Sequence, residues 1–119
     1  FGGNPLACRA ALAVISTING DSLTDRAAAL SQRIFADFKK ELKDLSAVKE
    51  VRGKGLMIGI ELDRSCGELV ARGLDAGVLI NVAAGNVVRL LPPLIMSDEE
   101  AGSMVSTVCD LIEAFCGDD

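Results

Sequence analysis

A chain of 119 residues, half of them apolar, fits one domain and can bury roughly two-thirds of its unfolded surface in a real core. Its net charge of −5, a pI near 4.7 and just four aromatic residues, all Phe, argue against a nucleic-acid partner, which needs a basic stripe and stacking rings, and against an anionic membrane surface. Histidine is absent, which removes Ser-His-Asp and Cys-His nucleophilic chemistry and the familiar zinc sets, so no metal site is expected.

The opening Phe1-Gly2-Gly3-Asn4-Pro5 matches neither a signal peptide nor a natural initiation, and the chain is read as part of a longer protein. Asn4 then caps a helix with Pro5 at its first position, and Leu6, Ala10, Ala13, Val14 and Ile18 mark its apolar face. Arg9 is its lone charge, and a helix apolar nearly all round is covered on more than one side. Residues 1–20 therefore read as a helix connecting two domains, ended by Asn19-Gly20-Asp21, and residues 21–119 as a small domain of their own. The mean hydropathy of +0.36 fits surface meant for another domain or subunit.

A second helix is expected from Ser22 or Thr24 to about Leu45, with Leu23, Ala27, Leu30, Ile34, Phe38 and Leu42 on one face and a solvated charged face opposite. The period then changes. Val48 to Val51 and Leu56 to Leu62 read as antiparallel strands joined by Arg52-Gly53-Lys54-Gly55. That glycine-rich link with its cations could form a phosphate nest, but such a loop should open a helix rather than a strand, so a plain hairpin turn is favoured. Gly59 inside the second strand suggests a bulge or a close backbone approach. A helix from Cys66 to Ala76, stopped by Gly77, carries Leu69, Val70 and Leu74 on one side. A second strand pair follows, Val78 to Val82 and Val87 to Leu91, around the turn Ala83-Ala84-Gly85-Asn86. Ser97 with Asp98, Glu99 and Glu100 opens the last helix, which carries Met104, Val105, Val108, Leu111, Ile112 and Phe115. The pattern describes an α+β domain of two layers, a small mainly antiparallel sheet covered by helices. Cys8, Cys66, Cys109 and Cys116 lack C-x-x-C spacing and read as reduced thiols, with Cys109 and Cys116 serving packing. No apolar run is long enough to span a bilayer.

The candidate functional residue is Arg89, set in Val87-Val88-Arg89-Leu90-Leu91-Pro92-Pro93-Leu94. Alternation puts it on one face with Val87 and Leu91, where burial would require an anionic partner. That partner is either an internal acid, Glu61 or Asp63 of the other hairpin, or a ligand carboxylate or phosphate.

Three stretches together, Phe1 to Ala7, Val51 to Gly59 and Gly85 to Leu94, resemble the C-terminal part of the class III pyridoxal-phosphate aminotransferases, and within them the acetylornithine type most closely. The resemblance covers essentially the whole chain. It implies the small C-terminal domain of a fold-type I aminotransferase, behind an inter-domain helix, with pyridoxal 5'-phosphate as cofactor of the complete protein. It implies that Phe1, Gly2 and Gly3 adjoin an upstream Ser or Thr that binds the cofactor phosphate of the neighbouring subunit in a homodimer. The catalytic lysine and the acid facing the pyridine nitrogen are upstream as well, so no catalytic residue is expected here, and Lys54 matches no Schiff-base position. Arg89 is then the residue that binds a carboxylate of the amino donor and of 2-oxoglutarate, its planar fork meeting both oxygens. The implied activity is transfer of an amino group from N-acetylornithine, or a related ω-amino acid, to 2-oxoglutarate in cytoplasmic arginine biosynthesis. The partners implied are the large domain, a second subunit and the amino-acid and 2-oxo-acid substrates. A different reading is a stand-alone, non-catalytic carboxylate-binding domain with Arg89 as its clamp.

Overall fold

In the computed structural model, residues 2–117 are described, and they form four helices and one four-stranded sheet. Helix α1 spans Pro5–Gly20, and the Asn4 side chain accepts from the Ala7 amide at 2.9 Å, as the N-cap reading requires. Helix α2 runs Leu23–Glu41; strands β1 (Val48–Lys54) and β2 (Met57–Leu62) form the first hairpin. A short helix α3 (Leu69–Asp75) precedes strands β3 (Asn81–Ala83) and β4 (Val87–Leu90), and α4 spans Asp98–Gly117. Strand order is β1-β2-β4-β3, with every neighbouring pair antiparallel.

One face of the sheet carries the core. Ile58, Ile60 and Leu62 from β2 and Val88 and Leu90 from β4 are buried against Leu30, Ile34 and Phe38 of α2 and Val105, Val108 and Ile112 of α4. Each such side chain contributes about 1.5–3 kcal/mol by leaving water. Helix α4 is fixed at its start by a reciprocal cap: the Ser97 amide donates to Glu100 Oε2 at 2.8 Å, and the Glu100 amide donates to Ser97 Oγ at 3.1 Å. Asp98 pairs with Arg26 at 2.5 Å and with Arg33 at 3.2 Å, tying α4 to α2. Helix α1 differs from the rest: it packs on α2 but has no buried residue, and Leu6, Leu12, Val14 and Ile15 are exposed.

Several local expectations are corrected. The first hairpin turns more tightly than the sequence suggests: Arg52, Gly53 and Lys54 belong to β1, leaving Gly55-Leu56 as a two-residue turn with Gly55 at φ +54°. Gly53 belongs in the strand because its partner strand comes very close, a Cβ there falling 2.1 Å from the Met57 carbonyl oxygen. The register shift lies between Val48 and Glu50, not at Gly59, which stays in register opposite Arg52 and Arg89. Helix α3 faces the core with Leu69 and Gly73, while Val70 and Leu74 are exposed. Val78 to Ile80 lie outside β3, because the Val78 amide bonds the Gly73 carbonyl at 2.8 Å rather than a strand. Between α1 and α2 the left-handed residue is Ser22, at φ 50°, and Gly20 remains helical. Helix α2 stops at Glu41, though Leu42 is still buried.

Candidate carboxylate site on the open face of the sheet

Strand alternation decides where Arg89 lies. Val88 and Leu90 on either side of it are buried, so Arg89 projects from the opposite, open face and is exposed. The expectation of a buried guanidinium is thereby corrected: desolvation does not force an anion upon it, and its charge is instead available at the surface. The register builds a row across this face, Arg52 opposite Gly59, Gly59 opposite Arg89, and Arg89 opposite Asn81. Gly59 contributes no side chain, so the middle of the row is a gap between two arginines.

The next row is Glu50 opposite Glu61, Glu61 opposite Val87, and Val87 opposite Ala83. Two carboxylates directly opposite each other repel, and one cation resolves this. Arg52 Nη1 donates to Glu50 Oε2 at 2.7 Å and to Glu61 Oε2 at 2.5 Å. The Glu61 hydrogen bond, with that of Glu50 behind it, raises the Arg52 guanidinium above its ordinary value. Asp63, the other acid considered for Arg89, is bonded by Arg64 Nε at 2.8 Å, and that hydrogen bond lowers its carboxyl below the ordinary range. Both internal candidates are therefore held by other arginines, and among the described residues no acid pairs with Arg89.

The turn before β4 is fixed independently of this charge pattern. Asn86 Nδ2 donates to the Leu62 carbonyl at 2.9 Å, and the Leu62 amide donates to the Asn86 carbonyl at 2.9 Å. Ala84 and Gly85 supply the positive φ angles, 53° and 83°, that reverse the chain. Beyond Arg89, the proline pair stops the strand, and Leu91, Pro92 and Pro93 line an apolar hollow of about 330 Å³ with Val78, Leu79 and Met96.

The other expected site elements lie apart from this face. Phe1 falls outside the described residues, while Gly2 and Gly3 form an exposed turn leading into α1. The five lysines, Lys39, Lys40, Lys43, Lys49 and Lys54, are all exposed. Of the cysteines, Cys66 and Cys109 are buried, Cys116 is partly buried and Cys8 is exposed. Burial pushes the Cys109 thiol up to about 12, which makes it packing rather than a nucleophile. No described helix is long and apolar enough to cross a membrane. The Glu50-Arg52-Glu61 bridge is not visible in the sequence, where Arg52-Gly53-Lys54-Gly55 reads as a turn, whereas Arg52 belongs to β1.

Comparison with known proteins agrees with the architecture. The model of the aminotransferase class-III family matches residues 1–112. Acetylornithine aminotransferase 1 of Bordetella pertussis is 51% identical over 115 residues, covering 97% of this chain and 29% of the relative. The acetylornithine aminotransferase of Methanothermobacter thermautotrophicus is 40% identical over 112 residues, covering 94% of this chain and 29% of its own length. Among solved structures, ornithine aminotransferase from Toxoplasma gondii superimposes with a TM-score of 0.91 at 30% identity, over 100% of this chain and 29% of that one. Acetylornithine aminotransferase from Elizabethkingia anophelis gives a TM-score of 0.88 at 28% identity, over 94% and 30%. The chain thus spans under a third of the length of these relatives. A match through residue 112 of 119, high identity along nearly all of the chain and the same arrangement of helices and sheet establish that it belongs to the class-III aminotransferase family.

Proposed function

We propose that this chain is the C-terminal part of an aminotransferase that moves an amino group from N-acetylornithine, or a related ω-amino acid, to 2-oxoglutarate in cytoplasmic arginine biosynthesis. Its own contribution is Arg89, which binds a carboxylate of each substrate. One observation carries this reading: Arg89 stands exposed beside the gap at Gly59 while Glu61 and Asp63, its possible internal partners, are bonded to Arg52 and Arg64. An exposed guanidinium with its fork unoccupied is ready to take both oxygens of a carboxylate, and the paired bonds fix orientation as well as position. Holding the carboxylate fixes where the rest of the substrate lies, which lowers the entropic part of the barrier.

The cofactor implied by the family is pyridoxal 5'-phosphate, which supplies the electron sink for amino-group transfer. In this reading the lysine that anchors it lies upstream, outside this chain. In the same reading, residues 1–20 connect to a large domain, which covers the exposed apolar residues of α1, and residues 21–119 form the small domain. Phe1, Gly2 and Gly3 follow a hydroxyl residue that holds the cofactor phosphate of the second subunit in a homodimer.

Kinetics of the full-length protein test the assignment. Arg89→Lys keeps the charge but loses the fork, and should raise KM for the amino donor and for 2-oxoglutarate by roughly ten-fold or more, the loss of a charge-assisted bond. The melting temperature should stay at the wild-type value, because Arg89 is exposed and holds no internal partner. Unchanged KM values for both substrates would overturn the assignment.

A further inference from the structure

Within the sheet, the residues opposite or diagonal to Arg89 are Gly59, Met57 and Glu61 on β2 and Asn81 and Ala83 on β3. Glu61 is the one acid among them. It lies opposite Val87, two residues from Arg89 on the same face, at a diagonal spacing that long side chains span. Gly59, the β2 residue next to both, adds no side chain of its own to the space between them, which Val87 Cγ1 borders at 3.3 Å from where a Cβ at Gly59 would stand. Left to itself, Glu61 has every reason to swing onto Arg89: the directly opposed Glu50 repels it, and a guanidinium lies within reach. It is instead turned the other way, toward β1, by the Arg52 bond of 2.5 Å.

We propose that Arg52 is a positioning residue for the carboxylate site, one that occupies Glu61 and so keeps this acid off the Arg89 guanidinium. This rests on the reading of Arg89 as the substrate-carboxylate arginine. Arg52 touches no substrate; it sets the fraction of molecules in which Arg89 is open. A competing internal ion pair divides the protein into open and self-paired forms, and apparent affinity falls with the open fraction. For a pair of surface strength, losing the restraint should close the site enough to raise apparent KM roughly two- to six-fold. Both carboxylate substrates should be affected by the same factor, since the competitor is internal.

In the full-length protein, Arg52→Gln should raise KM for the amino donor and for 2-oxoglutarate equally, by roughly two- to six-fold, with kcat unchanged. Raising the salt concentration should shrink the ratio of variant to wild-type KM, because the internal pair is screened. The decisive variant is Arg52→Gln combined with Glu61→Gln, which removes the competitor and should return KM to the wild-type value. If Arg52→Gln fails to fold, Arg52→Met, which keeps an apolar stem against the sheet, takes its place in both measurements. A double variant as impaired as the single one would show that Arg52 acts through the fold, and would overturn the proposal. So would an unchanged KM in the single variant while Arg89→Lys raises it. An Arg89→Lys protein with normal KM strikes at the carboxylate assignment itself, which separates the two failures.

Discussion

The two faces of the sheet follow opposite rules. On the helix side, Ile58, Ile60, Leu62, Val88 and Leu90 are sealed beneath α2 and α4, and position there is set by volume. On the open side stand Arg52 of β1, Glu61 of β2 and Arg89 of β4, and position is set by charge: Arg52 holds Glu50 and Glu61, while no acid among the described residues pairs with Arg89. Alternation along β2 and β4 places the two systems one residue apart without mixing them. The sheet thus separates the residues that make the fold from those of the candidate site, and a change on one side should leave the other's property intact.

The two glycines within the strands of the first hairpin, Gly53 and Gly59, one on each face, test this most severely. Gly53 faces the helices: a Cβ there would sit 2.1 Å from the Met57 carbonyl oxygen and 2.8 Å from the ring of Phe35. The first neighbour is backbone and cannot swing away. Gly53→Ala must therefore break the pairing at the end of the hairpin, costing at least about 3 kcal/mol, the upper range for overpacking, out of a total of roughly 5–15 kcal/mol. Urea unfolding should show this as a lower midpoint or outright loss of the folded state; a midpoint unchanged from wild type would mean that the close approach is not real.

How much of this was legible in the sequence depended on whether a signal was local. Asn4-Pro5, the apolar face of α2 and Ser97 before three acids each carry their own helix start or face, and the structure has all of them. Antiparallel pairing was legible too, because short links between strands permit nothing else. The face on which Arg89 lies was not legible. Val87 and Leu91 form one apolar set and Val88 and Leu90 another, so alternation alone cannot choose the set that meets the helices; packing of α2 and α4 does. The Arg52 bridge was hidden for a related reason. Once the turn is drawn as four residues rather than two, Arg52 leaves the strand, and its alignment with Gly59 and Arg89 disappears. Tertiary context likewise shortened β3, where the strand-like Val78-Leu79-Ile80 is drawn back toward α3.

A smaller effect is expected where the helix layer is fastened over the sheet. Ser97 and Glu100 cap α4 reciprocally, and the Ser97 amide, followed by its hydroxyl, holds the Glu100 carboxyl below its ordinary 4.5. Arg26, with Arg33 behind it, holds Asp98 below its ordinary 3.8. A carboxyl depressed in the folded state stabilises the protein above its unfolded pKa, and this contribution is lost as the pH falls through the folded one. Stability should therefore decline from about pH 5 downwards. Ser97→Ala should cost about 1 kcal/mol at neutral pH and flatten a small part of that decline, because the Glu100 carboxyl loses the hydroxyl but keeps the backbone amide that is its main partner. Urea midpoints measured across the acid range for both proteins check this. Parallel curves offset by a constant would mean that the Ser97 hydroxyl takes no part in the acid decline, which then rests on the Ser97 amide and the Asp98 pairs.

The smallest effect should come from the second glycine. At Gly59 a Cβ would lie 3.3 Å from Val87 Cγ1 and 3.9 Å from both Arg52 Cγ and the Arg52 carbonyl oxygen, so its one tight neighbour is a side-chain atom. Gly59→Ala removes the entropic cost of a glycine in a strand, a gain of roughly 0.5–1 kcal/mol, and asks Val87 to yield by a few tenths of an ångström. These terms oppose each other, so the unfolding free energy should move by less than about 1 kcal/mol in either direction. A methyl group in the gap between Arg52 and Arg89 still narrows the space in which a carboxylate meets Arg89. KM for both substrates should therefore rise, though by less than in Arg89→Lys, because the fork itself remains. If Gly59→Ala instead destabilised the protein as much as Gly53→Ala, the open face would be packed as tightly as the core face. The separation of fold from site across the sheet would then fail, and with it the argument that Arg89 stands free to bind.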